Sequence, residues 1–296
     1  VKFAVYQRRE DKSIFIAIKG KSDIVIQDGF KSAKEAFDYI EANNAELQSR
    51  YRNLLDKTNA DFEENRERKG RDYRNGKDIT AEEFRTTFGF RGVEFGNWMT
   101  QEDRRKAINE CYDALMDLAA VCKVSPKALS LNGTLGMAFG SRGGGKFSAH
   151  YEPGKVVINL TKTRGAGTLA HEWFHAIDNY FAKMGETEFG YATGGEGMLP
   201  KGIQKYGKRY YDRNSGRVIT EEEYNELAKE HAVRREMVDA WEHLMESLKN
   251  SDYYKRSNAY ARLHNSKYWN DPTELGARAF SVWVENELSK QDTSND

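Results

Sequence analysis

The stretch Leu169-Ala170-His171-Glu172-Trp173-Phe174-His175 governs how the rest of the chain is read. It carries the pattern H-E-x-x-H within Thr168 to Lys183, a run whose apolar positions Leu169, Trp173, Phe174, Ile177 and Phe181 recur at helical spacing. Histidines at i and i+4 share one face of a helix, so both imidazoles reach a single Zn2+ at about 2.0–2.1 Å. Glu172, beside the first ligand, reaches a water rather than the ion. A metal acidifies that water, and a carboxylate beside it serves as general base. The apolar positions seat the helix in a core. The alternative is an ordinary helix with chance histidines, a rare coincidence with 6 histidines in 296 residues.

A catalytic zinc needs a third protein ligand and an open fourth position. The extension of the motif to a third histidine fails here, because Asp178 replaces its glycine and Phe181 its last histidine. Asp178, one turn beyond His175, is a candidate to orient a ligand histidine. Candidates for the third ligand are His150, Glu188, His231, Glu242, His243, His264 and Glu274. Glu274 sits in the first turn of a late helix opened by Asp271-Pro272-Thr273, with Arg278 one turn on. Asp271 and Glu274 also make a capping-type pair that needs no metal. His150 and Tyr151 are candidates to steady an oxyanion, and the strand around them to hold an extended peptide by edge pairing.

Working outward, Leu129–Leu131, Leu135–Ala138, Phe147–Tyr151 and Val156–Leu160 alternate with a period near 2 and read as short strands. Gly140 to Lys146 mimics a phosphate-binding loop. Phe147 stands where that motif needs Ser or Thr, and a strand follows rather than a helix, so the segment reads as a hairpin turn. Phe88-Gly-Phe-Arg-Gly92, with Phe95 and Trp98, reads as a tight loop packed on a core rather than a base-stacking platform. Thr80 and Glu83 form a capping box, and a helix with the stripe Ile108, Cys111, Tyr112, Leu115, Met116 and Ala119 follows Thr100. A hairpin joins Tyr210-Tyr211 to Val218-Ile219, and Thr220 with Glu223 caps a long charged helix reaching about Lys249. At the N-terminal end, Phe3 and Val5, Ile14 to Ile18, and Ile24 and Ile26 predict a three-stranded meander, followed by a helix opened by Ser32 and Glu35. The expected division is a βββα module over residues 1–55, a charged linker over 56–79 and one domain over 80–296. The class is α+β, with a small mixed sheet against the motif helix and a helical lower half.

Lys plus Arg and Asp plus Glu number 46 each, so net charge offers no general attraction to nucleic acid or anionic lipid. No apolar run approaches the roughly 20 residues of a membrane span. Cys111 and Cys122 fall on one predicted helix, ~16 Å apart and too far for a disulfide, which points to a reducing, cytoplasmic setting. Val1 is not a methionine, and the chain is expected to be part of a longer polypeptide.

Several stretches together carry a family resemblance: Phe88-Gly-Phe-Arg-Gly-Val-Glu-Phe-Gly-Asn-Trp98, Leu135–Gly140, His150-Tyr-Glu-Pro153, Ile158–Thr163, Leu169–His175 and Tyr268–Phe280. Over about residues 80 to 290 they resemble the metallopeptidase-like large polyvalent protein-associated domain of phage and conjugative-element proteins, and the N-terminal module resembles a companion domain. The resemblance implies a zincin-like metallopeptidase fold, Zn2+ held by His171, His175 and Glu274, and Glu172 as catalytic base. It also implies a peptide or protein substrate and a role in helping invading DNA survive host defences. Ser281 departs from the acidic residue expected after Phe280. A second reading is a catalytically silent zinc-stabilised module that contacts DNA or a host defence protein. Its surface would be Lys201 to Arg213, where Lys201, Lys205, Lys208, Arg209 and Arg213 alternate with tyrosines. A solvated hairpin explains the same stretch.

Overall fold

The computed structural model describes residues 1–9, 11–56, 68–140, 149–160, 168–207 and 209–294. In chain order the elements are β1 (Phe3–Gln7), β2 (Ile14–Ile18), β3 (Lys21–Phe30), α1 (Ala33–Ala42) and α2 (Asn44–Asp56). They continue with α3 (Ala81–Phe88), β4 (Val93–Phe95), α4 (Gln101–Cys122), β5 (Gly136–Phe139), β6 (Ala149–Glu152), β7 (Val157–Leu160) and α5 (Thr168–Met184). The remainder comprises β8 (Ile203–Tyr206), β9 (Arg209–Asp212), β10 (Arg217–Ile219), α6 (Glu221–Lys229), α7 (Arg235–Lys249), α8 (Asp252–Leu263) and α9 (Pro272–Ser289). The class is α+β. No helix among the described residues is long and apolar enough to cross a membrane.

The chain divides into two compact units, residues 1–63 with 251–271, and residues 64–250 with 272–296. In the first, β1, β2 and β3 form the expected antiparallel meander. Their inward residues Ile16, Ile18, Ile24 and Ile26 close a small core with Ala36 and Leu47. The helix after the meander is interrupted at Asn43, giving α1 and α2. The sequence division stops this module near residue 55, whereas here α8 belongs to it, with Ala259 and Leu263 packed on the same core. Of the expected linker, residues 57–67 lie outside the described residues, while Arg68 and Arg74 are ion-paired at 2.9 Å to Asp117 and Asp113 of α4.

The second unit is built on a four-stranded mixed sheet in the order β4-β5-β7-β6. β4, β5 and β7 run parallel, and β6 pairs antiparallel with β7 as an edge strand. All four residues of β5 are buried, as a central strand requires. β4 comes from the aromatic-glycine stretch that reads as a loop, and the rest of that stretch does pack. Phe84, Phe88 and Phe90 form a ring cluster that reaches Phe139. Trp98 lies over Gly140 and donates from Nε1 to its carbonyl at 2.7 Å, and a Cβ on Gly140 would meet that ring at 2.4 Å.

Two elements differ from expectation. Leu129–Leu131 is not a strand. Pro126–Ser130 forms a 3-10 turn that ends at Leu131 in the left-handed region, with the Ser130 hydroxyl donating to Lys127 O and accepting from Gly133 N. The charged helix from Thr220 does not run unbroken to Lys249 either. Its capping box forms, but the chain breaks between α6 and α7, which buries Val233 in a core with Phe174, Trp241 and Ala277 and sets His231 Nε2 3.0 Å from Gly197 O. The expected turn at Gly140–Lys146 falls, beyond Gly140, outside the described residues.

Candidate metal centre

α5 carries the H-E-x-x-H segment on a helix clamped from several sides. Trp173 Nε1 donates to Leu129 O at 2.9 Å, and Phe174 packs against Trp241 and Phe280. His171 and His175 therefore emerge at fixed positions one turn apart, and their Nε2 atoms come to 3.0 Å. α9 supplies Glu274 from its first turn. Its Oε2 lies 3.4 Å from His171 Nε2 and its Oε1 3.6 Å from His175 Nε2. Among the described residues, His171, His175 and Glu274 are the three whose ligand atoms converge as a metal site would need. Arg278, one turn along α9, holds Nη1 3.9 Å from Glu274 Oε2.

Glu172 leaves α5 towards the sheet. It is buried, and burial pushes its carboxyl up to about 7. The His171 side chain and a hydrogen bond from the Tyr151 backbone N–H pull the other way, while the Glu274 charge adds to the rise. That N–H belongs to the edge strand β6, so Glu172 and the strand are joined directly.

Tyr151 itself points inwards, and its hydroxyl donates to Asn179 Oδ1 at 2.8 Å. With its N–H serving Glu172 and its hydroxyl serving Asn179, Tyr151 is a structural link between β6 and α5. His150, on the other face of β6, sets Nε2 3.3 Å from Glu152 Oε1. Asp178 is fully buried and faces the 3-10 turn Ala192–Gly194. Its Oδ1 accepts from Thr193 N at 2.9 Å and its Oδ2 from Thr193 Oγ1 at 2.7 Å. Burial pushes its carboxyl up to about 7, against the pull of Thr193 and of the Ala192 N–H.

Asn179 and Thr193 escape a reading based on metal-ligand spacing. Asn179 follows His175 by one turn, is fully buried, and donates to Glu188 O and Gly190 O, holding the loop after α5. Buried polar residues continuing the histidine stripe along α5 were the available cue. Thr193 has none, because only the fold brings it to Asp178. Of the other third-ligand candidates, Glu242 is paired with Lys205, His231 with the Gly197 carbonyl, and His264 stacks on Tyr260. In the basic stretch, Lys201 lies 3.5 Å from Glu186 and Lys205 is bonded to Glu242, so part of its charge is neutralised; Lys208 lies outside the described residues.

Residues 1–87 match the family model of Large polyvalent protein-associated domain 5, and residues 261–296 match that of Large polyvalent protein-associated domain 1. The second match contains Glu274 and Arg278, and the H-E-x-x-H segment lies between the two. Comparisons with curated proteins and with solved structures gave no match.

Proposed function

We propose that this chain, similar at both ends to large polyvalent protein-associated domains, is a zinc-dependent peptidase of zincin-like fold that acts on an extended peptide in the service of a mobile element. The observation that carries the reading is the convergence of His171, His175 and Glu274 beside a buried Glu172. Donors around a tetrahedral ion with bonds of about 2.0–2.1 Å stand about 3.3–3.4 Å apart. The two imidazole Nε2 atoms stand 3.0 Å apart, and the two oxygens of the Glu274 carboxylate lie 3.4 and 3.6 Å from one imidazole each, separations of that size. Two neutral imidazoles and one carboxylate also make the donor set of a catalytic rather than a closed structural zinc, leaving a fourth position open.

Zinc held there by His171, His175 and Glu274 would supply Lewis acidity towards a carbonyl and a water. Glu172 supplies what that chemistry asks of the protein. Its carboxylate would take a proton from the attacking water and return it to the departing amine. The antiparallel edge strand β6, tied to Glu172 through the Tyr151 N–H, offers its outer edge to an extended peptide. Arg278 places a positive charge beside Glu274, with Nη1 3.9 Å from its Oε2.

The test is elemental analysis of the purified chain beside His171→Ala and Glu274→Ala, followed by a peptide-library digest with Glu172→Gln as control. The expected result is about one zinc per chain in the wild type and loss of zinc in both alanine variants. Glu172→Gln should keep the metal and lose at least ~100-fold in turnover. A wild type that takes up no zinc after reconstitution overturns the reading.

A further inference from the structure

We infer that Asp178, Thr193 and Thr273 form a relay that fixes the third donor, Glu274, against the two histidines. The inference rests on the metal reading proposed above. Glu274 lies in the first turn of α9, just after Pro272, where backbone groups lack full intrahelical bonding and a helix frays unless something ties it. His171 and His175 lie mid-helix and need no such tie.

One tie runs through a buried threonine. Asp178 sits on α5 three residues beyond His175, so it moves as one body with the histidines. Both its oxygens are engaged by Thr193. Thr193 Oγ1 also lies 3.3 Å from Thr273 Oγ1, and Thr273 immediately precedes Glu274. A hydroxyl has one proton and two lone-pair directions, so Thr193 serves the carboxylate and still shares its second contact with Thr273. On the other side of Glu274, a Cβ on Gly276 would stand 3.2 Å from Thr193 Cγ2 and 2.7 Å from Phe174 Cε1. Thr193 therefore meets α9 both before and after the donor. Asp178 and Thr193 are positioning residues: they touch neither ion nor substrate, and they act by setting where the Glu274 carboxylate falls.

A purely structural role makes a different prediction. If Asp178 only caps the 3-10 turn, its loss lowers stability and leaves the affinity of the folded protein for metal unchanged. The experiment uses the full chain and measures zinc affinity by chelator competition. The visible spectrum of the cobalt(II) form is recorded alongside, since it reports coordination geometry independently of turnover. Wild type, Thr193→Val, Thr193→Ser and Thr273→Val are compared, with melting of the metal-free forms recorded in parallel. Thr193→Val should bind zinc ~10–100-fold more weakly and show an altered cobalt spectrum, and Thr193→Ser should return both towards wild type. Thr273→Val, at a partly exposed position, should weaken binding in the same direction and keeps the test open if Thr193→Val fails to fold. Wild-type affinity and spectrum in Thr273→Val overturn the relay while leaving the metal centre standing. Absence of metal binding in wild type overturns both.

Discussion

Glu172 and Asp178 stand six residues apart on one helix, and burial pushes both carboxyls up to about 7. Each folded-state value lies above the unfolded one, so the folded protein holds these protons more tightly. Their contribution to stability is complete below the unfolded carboxyl range near pH 4 and is lost as pH rises through about 7. The melting temperature of the metal-free protein should therefore fall across that window. Glu172→Gln and Asp178→Asn should each flatten part of the fall, and an unchanged profile in both would refute the assignment. At this scale the histidines and Glu172 are legible in sequence because i and i+4 geometry is local. Glu274 is not fixed by spacing, since it comes from a different helix and its place beside Pro272 has a capping explanation. Thr193 is invisible altogether: nothing in its neighbours marks it as the partner of Asp178.

Between elements, the contact that matters most to the site is that of α5 with α9. Gly276 permits it, because any side chain there would press on Phe174 and Thr193. Gly276→Ala should destabilise the chain by ~1–3 kcal/mol through overpacking, measured by urea denaturation, and should weaken zinc binding because Glu274 is two residues away. Normal stability with normal affinity would show that α9 has slack at this point. Strands and capping boxes were largely readable, as Thr80 with Glu83 and Thr220 with Glu223 illustrate. Failures came where tertiary packing overrode local pattern. Alternating Leu129-Ser130-Leu131 became a 3-10 turn held by the Ser130 hydroxyl, and the charged run after α6 broke so that Val233 could be buried.

At the scale of the whole molecule, the first unit is discontinuous in sequence, since residues 251–271 join the N-terminal module. The periodicity of the opening strands revealed the module but not this late contribution, because nothing local in α8 says which core Ala259 and Leu263 enter. Removing residues 1–63 strips those side chains of the isoleucine core they pack on. Limited proteolysis of the shortened chain should then cut within 251–271. Zinc binding should survive, as all three donors lie in the other unit. Protection of 251–271 after the truncation would contradict the division.

The distance along the chain between His175 and Glu274 also sets an order in time. During synthesis the two histidines and Glu172 leave the ribosome well before Pro272–Ser289 is made. A growing chain thus carries Glu172, His171 and His175 but lacks Glu274, the proposed third donor, until α7, α8 and the first turn of α9 have followed. Under the proposed peptidase reading, a centre assembled this way would stay silent while unfolded, cleavable segments of its own chain are exposed, and would become complete only as the surrounding unit closes.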